Sequence, residues 1–257
     1  MNVFITGASS GIGAALAAHY AAAGARLGLL ARRRETLDAL AQSLGPAPLA
    51  NYACDVRDAQ ALGDAAADFT ARFGPADVVI ASAGISVGTL TRQREDNEAF
   101  RAVIDTNLMG MMHAFQSFLP AMLAARRGTL VGIASVAGFR GLPGSAAYSA
   151  SKAAAISYLE SLRVELRGTG VAVITICPGY IATPMTATNP YPMPFLMQAD
   201  KAARLIARAI ERRRRFYVLP WQMAWIGHLL RLLPRPLYDS AFARAPRKPR
   251  AERGSPP

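Results

Sequence analysis

The chain of 257 residues is predicted to fold as an α/β protein, a doubly wound parallel sheet of about seven strands with helices on both faces. Short apolar runs alternate with alanine-rich helical stretches, and this alternation is typical of repeated strand–helix units. Most runs are apolar throughout, as in parallel strands that are covered on both sides. A hydrophobic content of 52% predicts one domain with a large core.

Seven segments are predicted to form the strands of this sheet. Right-handed crossovers would place their carboxyl ends, and any bound ligand, along one edge of the sheet. The predicted strands are residues 3–5, 26–30, 49–54, 77–81, 129–134, 171–177 and 216–219.

The first predicted strand continues directly into the glycine-rich run TGASSGIG at residues 6–13, and an alanine-rich helix follows. This order of strand, turn and helix is the context that a dinucleotide-binding loop requires, because the pyrophosphate sits at the positive helix N-terminus. Taken alone, the run is also compatible with a turn that binds nothing. The predicted cofactor-binding residues here are Gly7, Ser9, Ser10, Gly11, Ile12 and Gly13.

Tyr148 and Lys152 are four residues apart and would share one face of a helix. A nearby ammonium favours the phenolate, and lowering a tyrosine pKa from ~10 towards neutrality needs roughly 3 units, or about 4 kcal/mol. A tyrosine of this kind can exchange a proton with a carbonyl or alcohol oxygen. The same spacing in isolation is more often a solvated helix face.

Together with Ser135 and Asn107, these motifs resemble the short-chain dehydrogenase/reductase family over about residues 2–220. The resemblance implies a Rossmann-type fold and reversible hydride transfer between a nicotinamide and a carbonyl or alcohol carbon. It also implies that Tyr148 is the general acid and base and that Lys152 lowers its pKa and binds the nicotinamide ribose. Ser135 would hold the substrate oxygen, and Asn107 would hold a water that links Lys152 to solvent.

The resemblance also implies cofactor contacts at the ends of later strands. Asp55 would contact the adenine, and Ile181 and Thr183 the nicotinamide carboxamide. The other implied contacts are Val56, Ala83, Gly84, Tyr148, Lys152, Pro178 and Gly179. The family usually has Asn-Asn-Ala-Gly where this chain has ASAG at residues 81–84, so we expect reduced local rigidity with cofactor binding retained.

The second predicted strand is followed by three arginines, Arg32, Arg33 and Arg34. NAD-dependent enzymes of this type usually place an acidic residue here, whereas a guanidinium can pair with the 2′-phosphate of NADP. One such contact contributes roughly 1.5–3 kcal/mol, or about a ten- to hundredfold preference. We therefore predict NADP(H) over NAD(H), with Arg32 and Arg33 as ligands and Arg34 solvated. A solvated helix start is the alternative for all three.

The substrate is predicted to be a small hydrophobic ketone, aldehyde or alcohol. Residues 184–197 contain three methionines, two aromatic residues and four prolines, which suits an adaptable apolar cover. Gly141, Leu142 and Pro143, between Ser135 and Tyr148, would also line the pocket without charge. These loop residues could instead simply pack on the body.

Positive charge is concentrated at the C-terminus, where residues 212–257 hold eleven basic and two acidic residues of a chain with net charge +12. The body is therefore nearly neutral, and nucleic-acid binding is not indicated. We divide the chain into a catalytic domain (1–219), an amphipathic helical extension (220–244) and a basic tail predicted to be disordered (245–257).

The extension begins with an apolar helix predicted over residues 221–233, too short and interrupted to cross a bilayer. If it continued through Pro234, His228, Arg231 and Arg235 would form a polar stripe. Tryptophans, leucines and arginines suit peripheral contact with an anionic membrane, but packing on the body or on a second subunit explains them as well.

Further expectations concern the surroundings of the protein. Cys54 and Cys177 are isolated and fit a reduced, cytoplasmic protein, whose membrane contact would be at the inner face. His19, His113 and His228 lack ligand spacing, so no metal site is predicted. The family resemblance implies a homodimer or homotetramer. Two other functions stay open, a non-catalytic NADPH-binding regulator and a membrane-surface lipid or keto-acyl reductase.

Overall fold

The computed structural model describes residues 1–250, and residues 251–257 of the basic tail lie outside the described residues. Its main sheet has seven parallel strands, in the order Leu49–Ala53, Arg26–Ala31, Asn2–Thr6, Val78–Ala81, Gly128–Ile133, Val171–Pro178 and Phe216–Leu219. The fold class and all seven predicted strands are confirmed, with bounds that differ by at most one residue. The strands are β1 (Asn2–Thr6), β2 (Arg26–Ala31), β3 (Leu49–Ala53), β4 (Val78–Ala81), β5 (Gly128–Ile133), β6 (Val171–Pro178) and β9 (Phe216–Leu219), and a separate short pair is β7 (Ile181–Ala182) with β8 (Met197–Gln198).

Helices cover both faces of the sheet. The helices are α1 (Gly11–Ala22), α2 (Arg34–Ser43), α3 (Ala59–Phe73), α4 (Asn97–Ile104), α5 (Gly110–Ala124), α6 (Ala146–Glu165), α7 (Pro184–Ala187), α8 (Ala199–Glu211), α9 (Trp221–Leu232) and α10 (Arg235–Phe242). Helices α1, α2 and α8 pack in one hydrophobic cluster, and α3, α5 and α6 pack in the other.

The strand order creates a crevice beside β1. Thr6, at the end of β1, pairs with Leu30 of β2 on one side and with Ala81 of β4 on the other. The chain winds outward from β1 in both directions, so the connections that leave β1 and β4 diverge. Ligands of doubly wound sheets bind at such a point, and the motifs predicted from the sequence lie there.

Aromatic packing fixes the middle of the sheet. Phe4 of β1 lies 5.4 Å from Phe69 and 4.5 Å from Phe118, measured between ring centroids. A Cβ atom on Gly28 of β2 would lie 2.3 Å from the Phe4 ring, so only glycine admits the ring at this position. This packing holds β1 and β2 in place beneath the crevice.

The C-terminal extension turns back towards the body. Helix α9 ends at Leu232 because Leu233, which precedes Pro234, is extended. The polar stripe through Arg235 is therefore not formed, and a second helix, α10, follows. Residues 245–250, from the tail predicted to be disordered, then lie against the body, where Arg250 forms a parallel bridge with Gly88.

Candidate active site

One cleft of about 280 Å³ lies at the carboxyl ends of the strands and joins the glycine loop to the predicted catalytic residues. Gly13 and Asn107 do not line this cleft. The predicted residues that do line it are Gly7, Ser9, Ser10, Gly11, Ile12, Arg32, Arg33, Asp55, Val56, Ala83, Gly84, Ser135, Tyr148, Lys152, Pro178, Gly179, Ile181 and Thr183.

The glycine loop is shaped by backbone contacts. Gly7 and Gly11 have φ angles of +68° and +56°, which favour glycine. A Cβ atom on Gly13 would lie 2.2 Å from the Gly7 carbonyl oxygen. The Ser10 side chain does not cap α1, so the amides of the first helical turn remain available at the cleft. This arrangement fits the pyrophosphate of a dinucleotide, because those amides and the helix dipole favour an anion.

The segment that lacks the family's asparagines is held by a threonine. The Thr6 hydroxyl, buried at the end of β1, accepts a hydrogen bond of 3.3 Å from the Ala83 amide. A Cβ atom on Gly7 would lie 2.6 Å from the Ala83 Cα, so the two loops are in close contact. The glycine loop and residues 82–84 therefore support each other directly.

Arg32 and Arg33 lie in the part of the cleft that also contains Asp55. The Asp55 carboxylate accepts a hydrogen bond of 2.7 Å from Arg57 Nη2. Burial alone would raise the pKa of Asp55, but the hydrogen bonds from Arg57 and the charge of Arg32 bring it below its ordinary value. This end of the cleft therefore combines an ionised carboxylate with an excess of guanidinium groups.

Ser135, Tyr148 and Lys152 meet at the other end of the cleft. The Ser135 hydroxyl accepts from the Ala137 amide at 3.1 Å and donates to the Pro178 carbonyl at 3.4 Å. Lys152 Nζ donates to the Ile133 carbonyl at 2.7 Å and lies 5.8 Å from the centroid of the Tyr148 ring. Helix α6 supplies the tyrosine and the lysine from one face, as their spacing predicts.

Burial dominates the protonation of this pair. It raises the pKa of Tyr148, although hydrogen bonding with Ser135 acts in the opposite direction. Burial also lowers the pKa of Lys152 to about 8. The shift of Tyr148 is opposite to the lowering predicted from the Tyr–Lys spacing, because the loss of solvation of a buried phenolate is the largest effect.

Asn107 braces the wall of the cleft. It lies in a π-helical segment, Asp105–Met109, between α4 and α5. Its side-chain amide donates to the Ile85 carbonyl at 3.0 Å and to Ser151 Oγ at 2.9 Å, and its oxygen accepts from the Ile85 amide at 2.8 Å. Asn107 therefore ties the segment after β4 to helix α6.

The short chain dehydrogenase family model matches residues 1–192, most of the chain. This chain belongs to the short-chain dehydrogenase family. It is an oxidoreductase of the kind that binds a nicotinamide cofactor and acts on alcohol and carbonyl groups.

Relatives of this dehydrogenase extend the match beyond the family model. An uncharacterized oxidoreductase of Myxococcus xanthus is 43% identical over 246 residues, which cover 95% of this chain and 96% of the relative. A sulfoacetaldehyde reductase of Chromohalobacter salexigens is 38% identical and covers 72% of this chain and 74% of its own. The alcohol dehydrogenase of Thermococcus sibiricus, solved with 5-hydroxy-NADP, is 25% identical with a TM-score of 0.75 and covers 85% of this chain and 94% of its own.

Some residues of the dehydrogenase cleft were not predicted. Thr186 donates to the Ile181 carbonyl at 2.6 Å and accepts from the Thr183 amide at 3.1 Å, which fixes the start of residues 184–197, called the substrate loop because they are predicted to cover the substrate. The pair Thr183-x-x-Thr186 is a helix-start pattern and could have been recognised. Pro184 and Met185, from the loop predicted to cover the substrate, also line the cleft. The other unpredicted lining residues are Leu30, Ala31, Cys54, Ser82, Ile85, Thr106, Ile133 and Ala134.

The C-terminal extension completes the surroundings of the cleft. A Cβ atom on Gly179 would lie 2.7 Å from Cγ of Met223, so α9 packs directly behind a lining residue. The Tyr238 hydroxyl of α10 donates to the Gly141 carbonyl at 2.6 Å, and the Arg140 guanidinium lies 4.2 Å from the Tyr238 ring centroid. No sequence motif indicated these contacts.

Proposed function

We propose that the protein is an NADP(H)-dependent reductase of apolar aldehydes and ketones that also catalyses the reverse oxidation of alcohols. The observation that carries this proposal is a single cleft that joins the glycine loop and Arg32 to Ser135, Tyr148 and Lys152. NADP(H) would supply or accept the hydride there. The sulfoacetaldehyde reductase and the alcohol dehydrogenase among the relatives support the reaction class.

Arg32 and Arg33 support a preference for NADP(H). Both line the cleft beside Asp55, which is already engaged by Arg57. A guanidinium at this position would bind the 2′-phosphate, whereas no carboxylate follows β2 directly to bind a 2′-hydroxyl. The NADP analogue bound by the alcohol dehydrogenase of Thermococcus sibiricus agrees with this preference.

The catalytic roles follow from the protonation of the buried pair. The raised pKa of Tyr148 keeps its phenol protonated near neutral pH, which is the form that donates a proton to a developing alkoxide. Ser135 would hold the same oxygen by a hydrogen bond. Lys152, whose pKa is about 8, is a cation below that pH and would bind the nicotinamide ribose and support the phenolate after proton transfer. Asn107 is proposed to hold a proton-relaying water near Lys152.

An apolar substrate is supported by the loop that follows Thr183. Met185 lines the cleft, and Phe195 and Leu196 expose much of their side chains. Exposed apolar side chains in a loop beside a cleft can cover a hydrophobic ligand.

Replacement of Tyr148 by phenylalanine tests the proposed reaction. Removal of the proton donor is expected to lower kcat about 10²- to 10⁴-fold, while NADPH binding changes little. Tyr158→Phe is the matched control, because Tyr158 stacks on Phe115 outside the cleft. A panel of apolar aldehydes and ketones would measure turnover, and NADPH fluorescence would measure binding.

The same variant distinguishes a non-catalytic NADPH-binding regulator. A regulator would bind NADPH but turn over no carbonyl compound, and Tyr148→Phe would change nothing that can be measured. NADPH-dependent turnover that survives Tyr148→Phe would contradict the assignment of the proton donor.

Peripheral contact with a membrane, from the cytoplasmic side, is supported by the outer face of α9. Trp221, Trp225, Leu229 and Leu232 are 69%, 71%, 69% and 81% exposed and follow one another at helical spacing. Exposed arginines flank them, which suits an interfacial helix on anionic lipid. Among residues 1–250, no helix has the length and apolar character needed to cross a bilayer.

The membrane proposal has a direct optical test, because the chain contains two tryptophans and both lie on this face. Anionic phospholipid vesicles should shift their emission to shorter wavelength, whereas zwitterionic vesicles should shift it less. A shift that depends on protein concentration without vesicles would instead indicate contact between subunits. No shift with either vesicle would exclude membrane contact, and with it the membrane-surface reductase.

A homodimer or homotetramer that pairs through α5 and α6 is proposed from the family. Exposed apolar side chains on these helices support it, because Leu123 and Val164 would be covered in such a contact. Light scattering would measure the mass, and Val164→Glu should shift it towards the monomer. A monomer in the unmodified protein would contradict this proposal.

A further inference from the structure

The last described residues form a strap, residues 245–250, that lies beside the substrate end of the cleft. The Gly88 amide donates to the Pro249 carbonyl at 2.8 Å. A Cβ atom on Gly88 would lie 2.3 Å from the Lys248 carbonyl oxygen, so glycine is required for the strap to lie this close. The strap is therefore seated on the segment that follows β4.

An ion pair fixes the end of the strap. Arg250 donates to Asp96 from Nε at 3.0 Å and from Nη2 at 2.8 Å, and Asp96 also accepts from the Leu90 amide at 2.7 Å. Bidentate pairs of this kind are strong and directional. The Asp96 side chain is only 11% exposed, so the pair is shielded on the carboxylate side.

Lys248 extends from the middle of the strap to the wall of the cleft. Its Nζ donates to Ser86 Oγ at 2.9 Å and reaches the Met185 carbonyl at 3.5 Å. Met185 lines the cleft, and so does Ile85, the neighbour of Ser86. The ammonium therefore sits where the segment after β4 meets the substrate loop, just beyond the residues that line the cleft.

This ammonium has no carboxylate partner within residues 1–250, where its polar contacts are a hydroxyl and a carbonyl. It is half-buried, and burial lowers its pKa to about 8. A partly desolvated cation is stabilised most effectively by an anion, and charge-assisted hydrogen bonds are the strong ones.

We propose that Lys248 binds a carboxylate carried by an otherwise apolar carbonyl substrate, at a distance from the carbonyl that Tyr148 protonates. This inference rests on the proposed reductase function and names its substrate class, an apolar oxo acid. It narrows the apolar substrate predicted from the loop sequence to one that also carries a carboxylate, because the loop is apolar but the strap adds a cation at its edge. Lys248 is a specificity-determining residue rather than a catalytic one.

Calorimetry with two alcohols that differ in charge tests the proposal without turnover. The probes are 4-(hydroxymethyl)benzoate and 4-methylbenzyl alcohol, added to the full-length protein saturated with NADPH, which cannot accept hydride from an alcohol. We expect the carboxylate probe to bind about ten- to hundredfold more tightly than the neutral one. Lys248→Met should abolish that difference, and Lys248→Arg should retain it.

Lys201→Met is the matched control, since it removes the same charge from an exposed position on α8. It should leave the preference for the carboxylate unchanged. Thermal unfolding would verify that each variant is folded, and Lys248→Gln would serve if methionine is not tolerated. A purely structural role of Lys248 would weaken both probes equally, which overturns the proposal.

Failure to bind the carboxylate probe, or a preference that persists in Lys248→Met, also overturns the proposal. Reduction of 4-carboxybenzaldehyde and 4-methylbenzaldehyde with NADPH tests the reductase function separately. Equal turnover of both aldehydes with no effect of Lys248→Met leaves the reductase standing and removes the role of Lys248. A carboxylate preference that depends on Lys248, without turnover of any aldehyde, supports the anion site and contradicts the reductase.

Discussion

The two ends of the cleft are built in different ways. At the cofactor end, backbone atoms of residues close in sequence touch directly, as Gly7 and Gly13 do. At the substrate end, segments that are far apart in sequence hold the loops, chiefly through side chains, and Arg250 and Asp96 are separated by 154 positions. Close backbone contacts require glycine, so they leave a recognisable glycine pattern in the sequence. A long-range side-chain contact can be made by many residue types and leaves no such pattern.

The broadest effect, on both cofactor binding and stability, is expected from a methyl group at the cofactor end. Gly13→Ala places its Cβ 2.2 Å from the Gly7 carbonyl, so the loop must move or the protein must unfold. We expect a loss of NADPH affinity of at least about tenfold, with a lower Tm. Gly63→Ala, in the middle of α3 where a Cβ meets nothing within 4 Å, is the control and should stabilise by about 0.5–1 kcal/mol. Equal effects of the two substitutions would contradict the backbone-built loop.

The next prediction concerns the preference for NADPH over NADH, which should depend on Arg32. Arg32→Ala is expected to lower the preference for NADPH over NADH about ten- to hundredfold, because a charge-assisted contact with the 2′-phosphate is lost. Arg34→Ala, at the first residue of α2 and outside the cleft lining, should change it little. The ratio of kcat/KM for the two cofactors is the measurement, and an unchanged ratio in Arg32→Ala would remove the arginine from cofactor recognition.

Release of the strap should affect the substrate end alone. Arg250→Gln is expected to raise KM for the carbonyl substrate about three- to tenfold and to leave NADPH affinity unchanged. Arg244→Gln removes an exposed charge from the same extension and is the control. A parallel loss of NADPH affinity would mean that the two ends of the cleft are not independent.

The pH dependence of the strap has a defined sign. The hydrogen bond with Arg250 lowers the pKa of Asp96. The ion pair therefore contributes its full stability above the unfolded carboxyl pKa of about 3.9 and loses it as pH falls through the lower folded value. The Arg250–Asp96 pair should therefore cause no change in KM near neutral pH, and a change there would point to Lys248, the strap residue whose pKa is lowered to about 8.

The smallest effect is expected on the outer face of α9. Replacement of Trp221 and Trp225 together by glutamine should change the free energy of unfolding by less than about 0.5 kcal/mol, because both side chains are already exposed. Kinetics with a soluble substrate should also stay unchanged. A clear loss of stability measured by denaturant unfolding would mean that these tryptophans pack on a surface of the protein.

Features that depend on local pattern were predictable from the sequence. The strands follow from their apolar runs, and the glycine loop follows from its position between β1 and α1. Helical periodicity places Tyr148 and Lys152 on one face of α6, and both line the cleft. The roles proposed for Ser135, Tyr148, Lys152 and Asn107 stay predictions until their variants are measured.

Features that depend on burial or on distant contacts were not predictable. The spacing of Tyr148 and Lys152 suggests a lowered tyrosine pKa, but the depth of the cleft determines the opposite shift. Composition alone suggested that residues 245–250 are disordered, yet Lys248 and Arg250 have partners in segments that only the fold brings near. Burial and long-range pairing are properties of the assembled chain.

The position of the tryptophans allows their fluorescence to report on the bound cofactor. Helix α9 carries both of them and packs behind Gly179 of the cleft through Met223. Tryptophan emits where a reduced nicotinamide absorbs, and an oxidised nicotinamide does not absorb there. Energy transfer from α9 would therefore report the redox state of the bound cofactor, so that single turnovers could be followed without any added dye.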